Sequence, residues 1–537
     1  MSESQNKVKR PVYSLEELDS FNDGKRLHFD SIAEMFTARA REIPNKPFVL
    51  YYDQVITYAQ TNERSNRVAS YLKKMGVKKG DVVSVMVLNS PEVYYTMFGA
   101  QKLGAVAGGI NYMLKGPEIA HVLDDSKPRV AFVSSEFMKD FAAGCKIASH
   151  KPVVVEVYTG IDHGINIAEQ RLSDILAKYP ADEALVPQFS GDPFLLLYSS
   201  GTTGRPKGIL LSNRGQLSIC RDMAAMGGFA EDDIMMIVLP MFHTNPLCVW
   251  TYPLAYLGAT LCIRKMFSPQ DFWPSILNYG VTVVMGVPTM YNYVCNVADP
   301  GAIDRSKLKL RYAFCGAAPL PVELIRAFKE KFDVTVIEGY GLTEATGVST
   351  SSFGVPLKWG SIGIPYSEQQ IEIMDDDNNK LPVGEKGEIC IKGAAVMSGY
   401  LNNPEATAET VRDGWLHTGD MGYMDEEGYF YVAGRKKEMI NRGGENIYPR
   451  EIESVLETHP AIDQVAVVGV PDPSLGERVK ACIILKQQES LSADDVKAFL
   501  SDKMAKYKIP EYVEFMTSFP LNPTGKILKG ELKKTKV

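Results

Sequence analysis

The chain has 537 residues, a formal net charge of −7, and is 45% apolar and 23% charged. That length exceeds one compact core, so two or more domains are expected. The composition is that of a globular protein, and the acidic balance with no polybasic run argues against nucleic acid or an anionic membrane as the main partner. Eight cysteines, none in a C-x-x-C spacing, suggest neither a zinc cluster nor a disulfide framework. The N-terminal stretch lacks the apolar core of a secretory signal, and nothing approaches the roughly 18 apolar residues of a membrane span. A cytoplasmic, reducing setting is the expectation.

From about residue 80 the pattern alternates strand, turn and helix. "DVVSVMVLN" reads as a strand, followed by a helix with Ser90 as N-cap and Pro91 at its first position. "PFLLLYSS" reads as a buried strand running into "GTTGRPKG". "VTVVMGV" precedes the helix "PTMYNYVCNVA", and "YAFCGAA" precedes "PLPVELIRAFKEKF" and the strand "VTVIEGYG". Such alternation predicts parallel sheets covered by helices, with ligands at the carboxyl ends of the strands. After about residue 360, "QQIEIMD", "GEICIKG" and "GYFYVAGR" predict short antiparallel, barrel-like strands between Gly, Asn and Asp turns. From about 438 a small α+β unit is expected: the helix "YPREIESVLETHPAI", with Ile452, Val455, Leu456 and His459 at helical spacing, then the strands "DQVAVVGVPD" and "RVKACIILK", the helix "SADDVKAFLSDKMA" and the strand "EYVEFM".

Within this frame, "YSSGTTGRPKG" has the chemistry of a phosphate cradle. Glycines let backbone N–H groups approach an anion, Ser199, Ser200, Thr202 and Thr203 add hydroxyl donors, and Lys207 adds charge. It is not a Walker loop, because Lys207 follows Pro206 and precedes Gly208. In "EGYGLTEAT", Glu338 to Thr346, Tyr340 stands between Gly339 and Gly341 and can offer a bare ring face to a base. Glu344 can ligate a divalent cation together with phosphate oxygens. Gly316, Ala317 and Ala318 leave room for a ligand against backbone, and Asp420 of "HTGD" can accept ribose hydroxyls. Arg435, the pair Gly443–Gly444 and Lys526 of "NPTGK" follow in further turns. Each of these later motifs, taken singly, is more often an ordinary turn than a site.

Taken together and in this order, "YSSGTTGRPKG", "EGYGLTEAT", "HTGD", "GRKKEMINRGGEN" and "NPTGK" resemble the adenylate-forming superfamily over roughly residues 30 to 530. The resemblance implies an α/β fold: a large N-terminal domain, residues 1–434, of two α/β subdomains and a small barrel-like one; a hinge at 435–437; and a mobile α+β C-terminal domain, residues 438–537. It implies that Ser199 through Gly204, Gly201 included, hold the β- and γ-phosphates of ATP with Lys207. Gly316, Ala317 and Ala318 border the adenine and Tyr340 stacks on it. Thr343 corresponds to the α-phosphate ligand, Glu344 to the Mg²⁺ ligand, Asp420 and Arg435 to the ribose pair, and Lys526 to the lysine bridging the acyl carboxylate and the α-phosphate. Lys437 falls at the hinge position, and Gly443 and Gly444 would border a channel for the coenzyme A thiol.

The resemblance therefore implies ATP, Mg²⁺, coenzyme A and a small carboxylic acid as ligands. In "LPMFHTNPL" the candidates Phe242, His243, Thr244 and Asn245 include no acid to pair a substrate ammonium, so a plain carboxylic acid is expected rather than an amino acid. Gly339, Gly341, Thr346 and Val348 would line a small pocket, suited to a medium-chain, cyclic or aromatic acid such as a benzoate or cyclohexanecarboxylate. His243 either gates the thiol channel or packs at a strand end. The alternatives are a stand-alone acyl-AMP ligase that loads a carrier protein, and a non-catalytic acyl-nucleotide sensor. Lys526 and Glu344 speak against the second, and the chain's end about ten residues beyond Lys526 speaks for coenzyme A as acceptor.

Overall fold

The computed structural model describes residues 28–199, 206–226, 228–316, 318, 320–443, 445–521 and 527–534. Four sheets organise them. An eight-stranded sheet runs, in spatial order, Gly399–Tyr400, Lys207–Ser212, Pro193–Ser199, Val106–Gly109, Val82–Met86, Val130–Ser134, Val153–Val157 and Gln170–Arg171. A nine-stranded sheet includes the parallel neighbours Ile234–Ile237, Val283–Gly286, Tyr312–Cys315 and Thr335–Tyr340. These central strands are short apolar runs buried on both faces, which is what parallel strands covered by helices require. Aromatic and aliphatic side chains from both sheets merge into one large cluster that includes Phe36, Phe48, Tyr94, Phe98, Leu195 and Trp250.

The helices start where the residues dictate. Ser31 accepts the Glu34 N–H at 3.1 Å, and Thr57 forms a reciprocal capping box with Gln60. Helix Pro91–Lys102 begins at its proline as the sequence suggests, with Ser90 in extended geometry, but the Ser90 hydroxyl makes no capping bond; the proline alone sets the start.

The antiparallel section has five strands, with Gln369–Met374, Gly387–Gly393, Trp415–Met424 and Val411–Arg412 in sequence across the sheet and Phe430–Arg435 paired with Trp415–Met424. The C-terminal unit is a second five-stranded sheet built on the long hairpin Ile462–Asp472 and Gly476–Leu485. Helices Pro449–Leu456 and Ala493–Ser501 cover it, burying Ile452, Leu456, Val496 and Leu500 against Val467, Val479 and Ile483. The first of these helices stops at Leu456. His459 lies beyond it and sets its ring edge-on to Phe499 at 4.6 Å, so the helical spacing overruns the helix by a turn.

This unit meets the rest of the chain at Lys386 of the antiparallel section, which pairs with Glu451 and lies over the Tyr448 ring. Within the unit Lys508 also pairs with Glu451, and Lys529 bridges Glu438 at 3.0 Å and Glu453 at 2.8 Å. Among the described residues no helix is long and apolar enough to cross a membrane.

Candidate active site

The site gathers at the carboxyl ends of parallel strands. Strand Pro193–Ser199 delivers Ser199, and the chain returns as the antiparallel strand Lys207–Ser212 with Ser199 opposite Lys207. The glycine-rich stretch therefore lies, in sequence, between two antiparallel neighbours. Ser200, Gly201, Thr202, Thr203 and Gly204 fall outside the described residues, as do Ala317, Gly444 and Lys526.

Lys207 places its Nζ 5.0 Å from the centroid of the Tyr400 ring, and the Tyr400 hydroxyl donates to Glu344 Oε1 at 3.0 Å. A cation, an aromatic ring and a carboxylate thus form one chain of contacts between the hairpin and the Glu338–Thr346 motif. No local signal in the sequence points to Tyr400. It lies on the two-residue strand Gly399–Tyr400, which pairs with Ile209 and Leu210 far away in sequence, and the backbone joins in as Met397 N–H donates to Glu344 O at 2.7 Å. Burial, then the Glu344 charge, raise the Tyr400 pKa above the ordinary phenol range, so its hydroxyl remains a donor at neutral pH.

The second contact chain is on the other side of the motif. Tyr340 ends strand Thr335–Tyr340, and its hydroxyl donates to Asp420 Oδ2 at 2.7 Å. Asp420 Oδ1 pairs with Arg435 Nε at 2.7 Å, because the antiparallel register sets Asp420 directly across from Arg435. Asp420 is 4% exposed, while the Arg435 side chain is 42% exposed and open to a ligand. Burial and the Asp420 charge keep the Tyr340 phenol protonated.

Glycines shape the floor. A Cβ on Gly341 would lie 2.4 Å from Gly347 O and 2.6 Å from Val348 Cα, and a Cβ on Gly316 would lie 3.1 Å from Gly339 O. Only glycine lets these turns approach so closely. Gly339 is half-buried beside Val348, and Ala318 is exposed next to the strand end.

Glu338 sits just inside, 8% exposed, and accepts the Leu320 N–H at 3.3 Å. Burial pushes its carboxyl up to about 7, against the pull of the Leu320 N–H and of Arg450 from the C-terminal unit. Arg450 itself is paired with Glu457 at 2.6 Å. This link from the motif to the C-terminal unit has no local signal in the sequence.

The segment before the motif joins it through Thr244, whose hydroxyl donates to Thr343 Oγ1 at 2.7 Å. Phe242 is buried edge-on against Tyr112 at 4.8 Å, and His243 tilts over Phe242 at 4.3 Å. Asn245 then opens a π-helix, Asn245–Thr251. Around it stand Phe229, Trp250, Phe314 and Phe353, with Trp250 4.8 Å from Phe314 and Phe229 stacked on Phe353 at 5.1 Å. Val348 is buried nearby, whereas the Thr346 hydroxyl is turned to Ala395 O at 2.6 Å. Further along the chain, Lys437 is exposed between the two units, and Gly443, also exposed, donates its N–H to Leu475 O at 2.7 Å. Its φ of 63° suits a glycine.

The family model for AMP-binding enzymes matches residues 36–401, and that for the AMP-binding enzyme C-terminal domain matches 451–526. A feruloyl-CoA synthase from Amycolatopsis sp is 35% identical over 500 residues, 92% of this chain and 97% of that protein. A crotonobetaine/carnitine–CoA ligase from Salmonella paratyphi A is 34% identical over 89% of this chain and 93% of its own length. Among solved structures, an anthranilate CoA ligase in complex with anthranoyl-AMP superposes with a TM-score of 0.87 at 29% identity, over 96% of this chain and 98% of that one. ATP-bound MatB from Rhodopseudomonas palustris gives 0.86 at 28% identity, over 94% and 99%. The chain belongs to the AMP-binding enzyme family. Within that family it is an AMP-forming acyl-CoA synthetase, joining a carboxylic acid to coenzyme A by way of an acyl-AMP.

Proposed function

We propose that the acid is cyclic or aromatic, of benzoate-like size, and that the residues named above divide the work as follows. The loop Ser199–Gly204 with Lys207 holds the β- and γ-phosphates, Tyr340 stacks on the adenine beside Gly316–Ala318, and Asp420 with Arg435 takes the ribose hydroxyls. The observation that carries this reading is the pair of contact chains meeting at one motif, Lys207–Tyr400–Glu344 and Tyr340–Asp420–Arg435. With both chains rooted in the one Glu338–Thr346 motif, the first would serve a nucleotide's phosphate end and the second its ribose end.

A carboxylate oxygen attacks the α-phosphorus, the bond to the bridging oxygen breaks, and pyrophosphate leaves. No proton has to be removed; the difficulty is that two anions must meet. Lys526 would neutralise and align them, and Thr343, oriented by Thr244, would bond the α-phosphate. Glu344 fits a magnesium ligand, because Tyr400 holds one of its oxygens and leaves the second to a cation. The ion, when bound, supplies charge neutralisation at the phosphates. The C-terminal unit would then turn about Lys437, withdraw Lys526 and bring Gly443 and Gly444 to the thiol channel, where the coenzyme A sulfur displaces AMP. His243 would stand at that channel.

The aromatic preference rests on the four rings around Asn245–Thr251 and on Val348 beside them. The names of two similar proteins, a feruloyl-CoA synthase and an anthranilate CoA ligase, agree with it. The test is a panel of benzoates, cinnamates, alicyclic and straight-chain acids with ATP, Mg²⁺ and coenzyme A, scored for pyrophosphate, AMP and acyl-CoA. Aromatic or alicyclic acids should lead in kcat/KM. A lead by straight-chain acids would overturn the acid class. Pyrophosphate release without acyl-CoA would overturn coenzyme A as acceptor.

A further inference from the structure

We infer that the acid carries a hydroxyl or amino group in addition to its carboxylate, and that Trp250 and Asn245 recognise that group. This rests on the acyl-activation reading above and sharpens its substrate class.

Two observations meet at the π-helix Asn245–Thr251. The first is geometric. In an α-helix, residues five apart point about 140° from one another. Closing the turn five residues on instead brings them towards one face, and such turns concentrate at functional sites. Asn245 and Trp250 are five apart and line the same narrow crevice with Ile237, Leu239, Pro246 and Met285. Met285 also reaches the nucleotide side, with its Cε 3.8 Å from where a Cβ of Gly316 would stand. The crevice therefore lies next to the proposed acyl-AMP position.

The second observation is an unmet hydrogen-bonding demand. Trp250 is 2% exposed and its indole N–H has no partner among the described residues; the Asn245 amide oxygen is buried and has none either. The crevice is too narrow in this form to admit a water molecule. Buried polar groups in native structures are almost always paired, and an exception asks for an explanation. One donor and one acceptor on two residues that line the same otherwise apolar crevice match a hydroxyl, which would accept from the indole and donate to the amide. An amino group does the same. A bare ring or alkyl chain would leave both protein groups unpaired. Two methionines, Met235 and Met285, form part of the wall, and their flexible thioethers allow the crevice to widen around a ligand.

The experiment compares matched acids: 4-hydroxybenzoate with benzoate, 4-hydroxycinnamate with cinnamate, and 2-aminobenzoate with benzoate, scored by pyrophosphate release and acyl-CoA formation. The wild-type enzyme should favour the substituted member of at least one pair by roughly 10²-fold or more in kcat/KM, as sites built to bond a hydroxyl discriminate against its absence. Trp250→Phe and Asn245→Leu should each shrink that ratio by about tenfold or more. Because the readout is a ratio within one protein, a loss of folded material cancels. Equal rates across every pair, a preference for the unsubstituted acids, or a ratio unmoved in both variants overturns the inference while leaving acyl activation intact. Absence of pyrophosphate release with every acid would instead overturn the acyl-activation reading on which it rests.

Discussion

Replacing Glu338 by glutamine should change how stability depends on pH. Glu338 is buried at the end of strand Thr335–Tyr340, where the Leu320 N–H donates to its carboxyl. That carboxyl moves from 4.5 to about 7 on folding, chiefly through desolvation, opposed by Leu320 N–H and Arg450 and reinforced by Glu457. The folded chain thus holds a proton that the unfolded chain releases near 4.5. The protonated group contributes fully below about 4.5, and its contribution is lost as pH rises through about 7. At about 1.36 kcal/mol per pH unit, the span is worth about 3 kcal/mol. A glutamine at this position would keep an oxygen for Leu320 and would not titrate. Urea unfolding of both proteins at several values between pH 5 and 8 should give a difference that widens by about 1.4 kcal/mol per unit up to pH 7, with the glutamine variant the more stable at the alkaline end. Parallel curves would refute the argument, because they would mean that the charge is already compensated when the protein folds.

Three further outcomes are expected. Lys526→Ala should lower adenylation by about 10²–10³, the worth of a cation near 4 Å from a phosphoryl oxygen at an effective dielectric of about 20, while thioester formation from preformed acyl-AMP changes far less; adenylation near the wild-type rate would remove the lysine from its role. Asp420→Ala takes away the partner of Arg435 and Tyr340 and any bond to the ribose, so ATP affinity by titration calorimetry should fall roughly 10- to 100-fold, at about 1.5–3 kcal/mol for a bond to a charged group. Gly341→Ala cannot be accommodated without moving backbone, since its Cβ would fall 2.4 Å from Gly347 O, and should cost about 2 kcal/mol or more in unfolding experiments; a wild-type unfolding curve would show that the turn is not rigid.

The α/β elements are readable because each obeys a local rule. "VTVVMGV" and "YAFCGAA" are β-branched or aromatic runs closed by small residues, and they form strands Val283–Gly286 and Tyr312–Cys315. The site motifs are readable for the opposite reason: strings such as "EGYGLT" break those rules by placing glycines and hydroxyls where a core would want bulk, and proteins do so where function demands it. What escapes is whatever depends on pairing over distance or on backbone register. Nothing near Tyr400 announces that a two-residue strand carries it to Glu344. Nothing in "NPLCVWT" distinguishes closure five residues on from closure four residues on, since both bury the same apolar side chains. The coupling of Glu338 to Arg450 joins residues far apart in sequence and exists only once the chain brings them together.

That contact has a physical character that bears on the proposed swing. The C-terminal unit has its own apolar clusters: Ile440, Ile452, Val467, Ile483 and Leu500 form one, and Val468, Cys482, Phe519 and Leu532 another, and neither includes a described residue from before residue 438. Across the boundary lie Lys386 with Glu451, Lys386 over the Tyr448 ring, and Arg450 near the buried Glu338. A partly exposed ion pair such as Lys386–Glu451 is worth about 0–1 kcal/mol and can re-form with new partners or with water. An apolar seam would not come apart so readily, at roughly 25 cal/mol for every Å² returned to water. An interface without a shared apolar cluster suits the swing proposed above: the same sequence choice that keeps the two cores separate is what would allow Lys526 to be delivered for one half-reaction and withdrawn for the next.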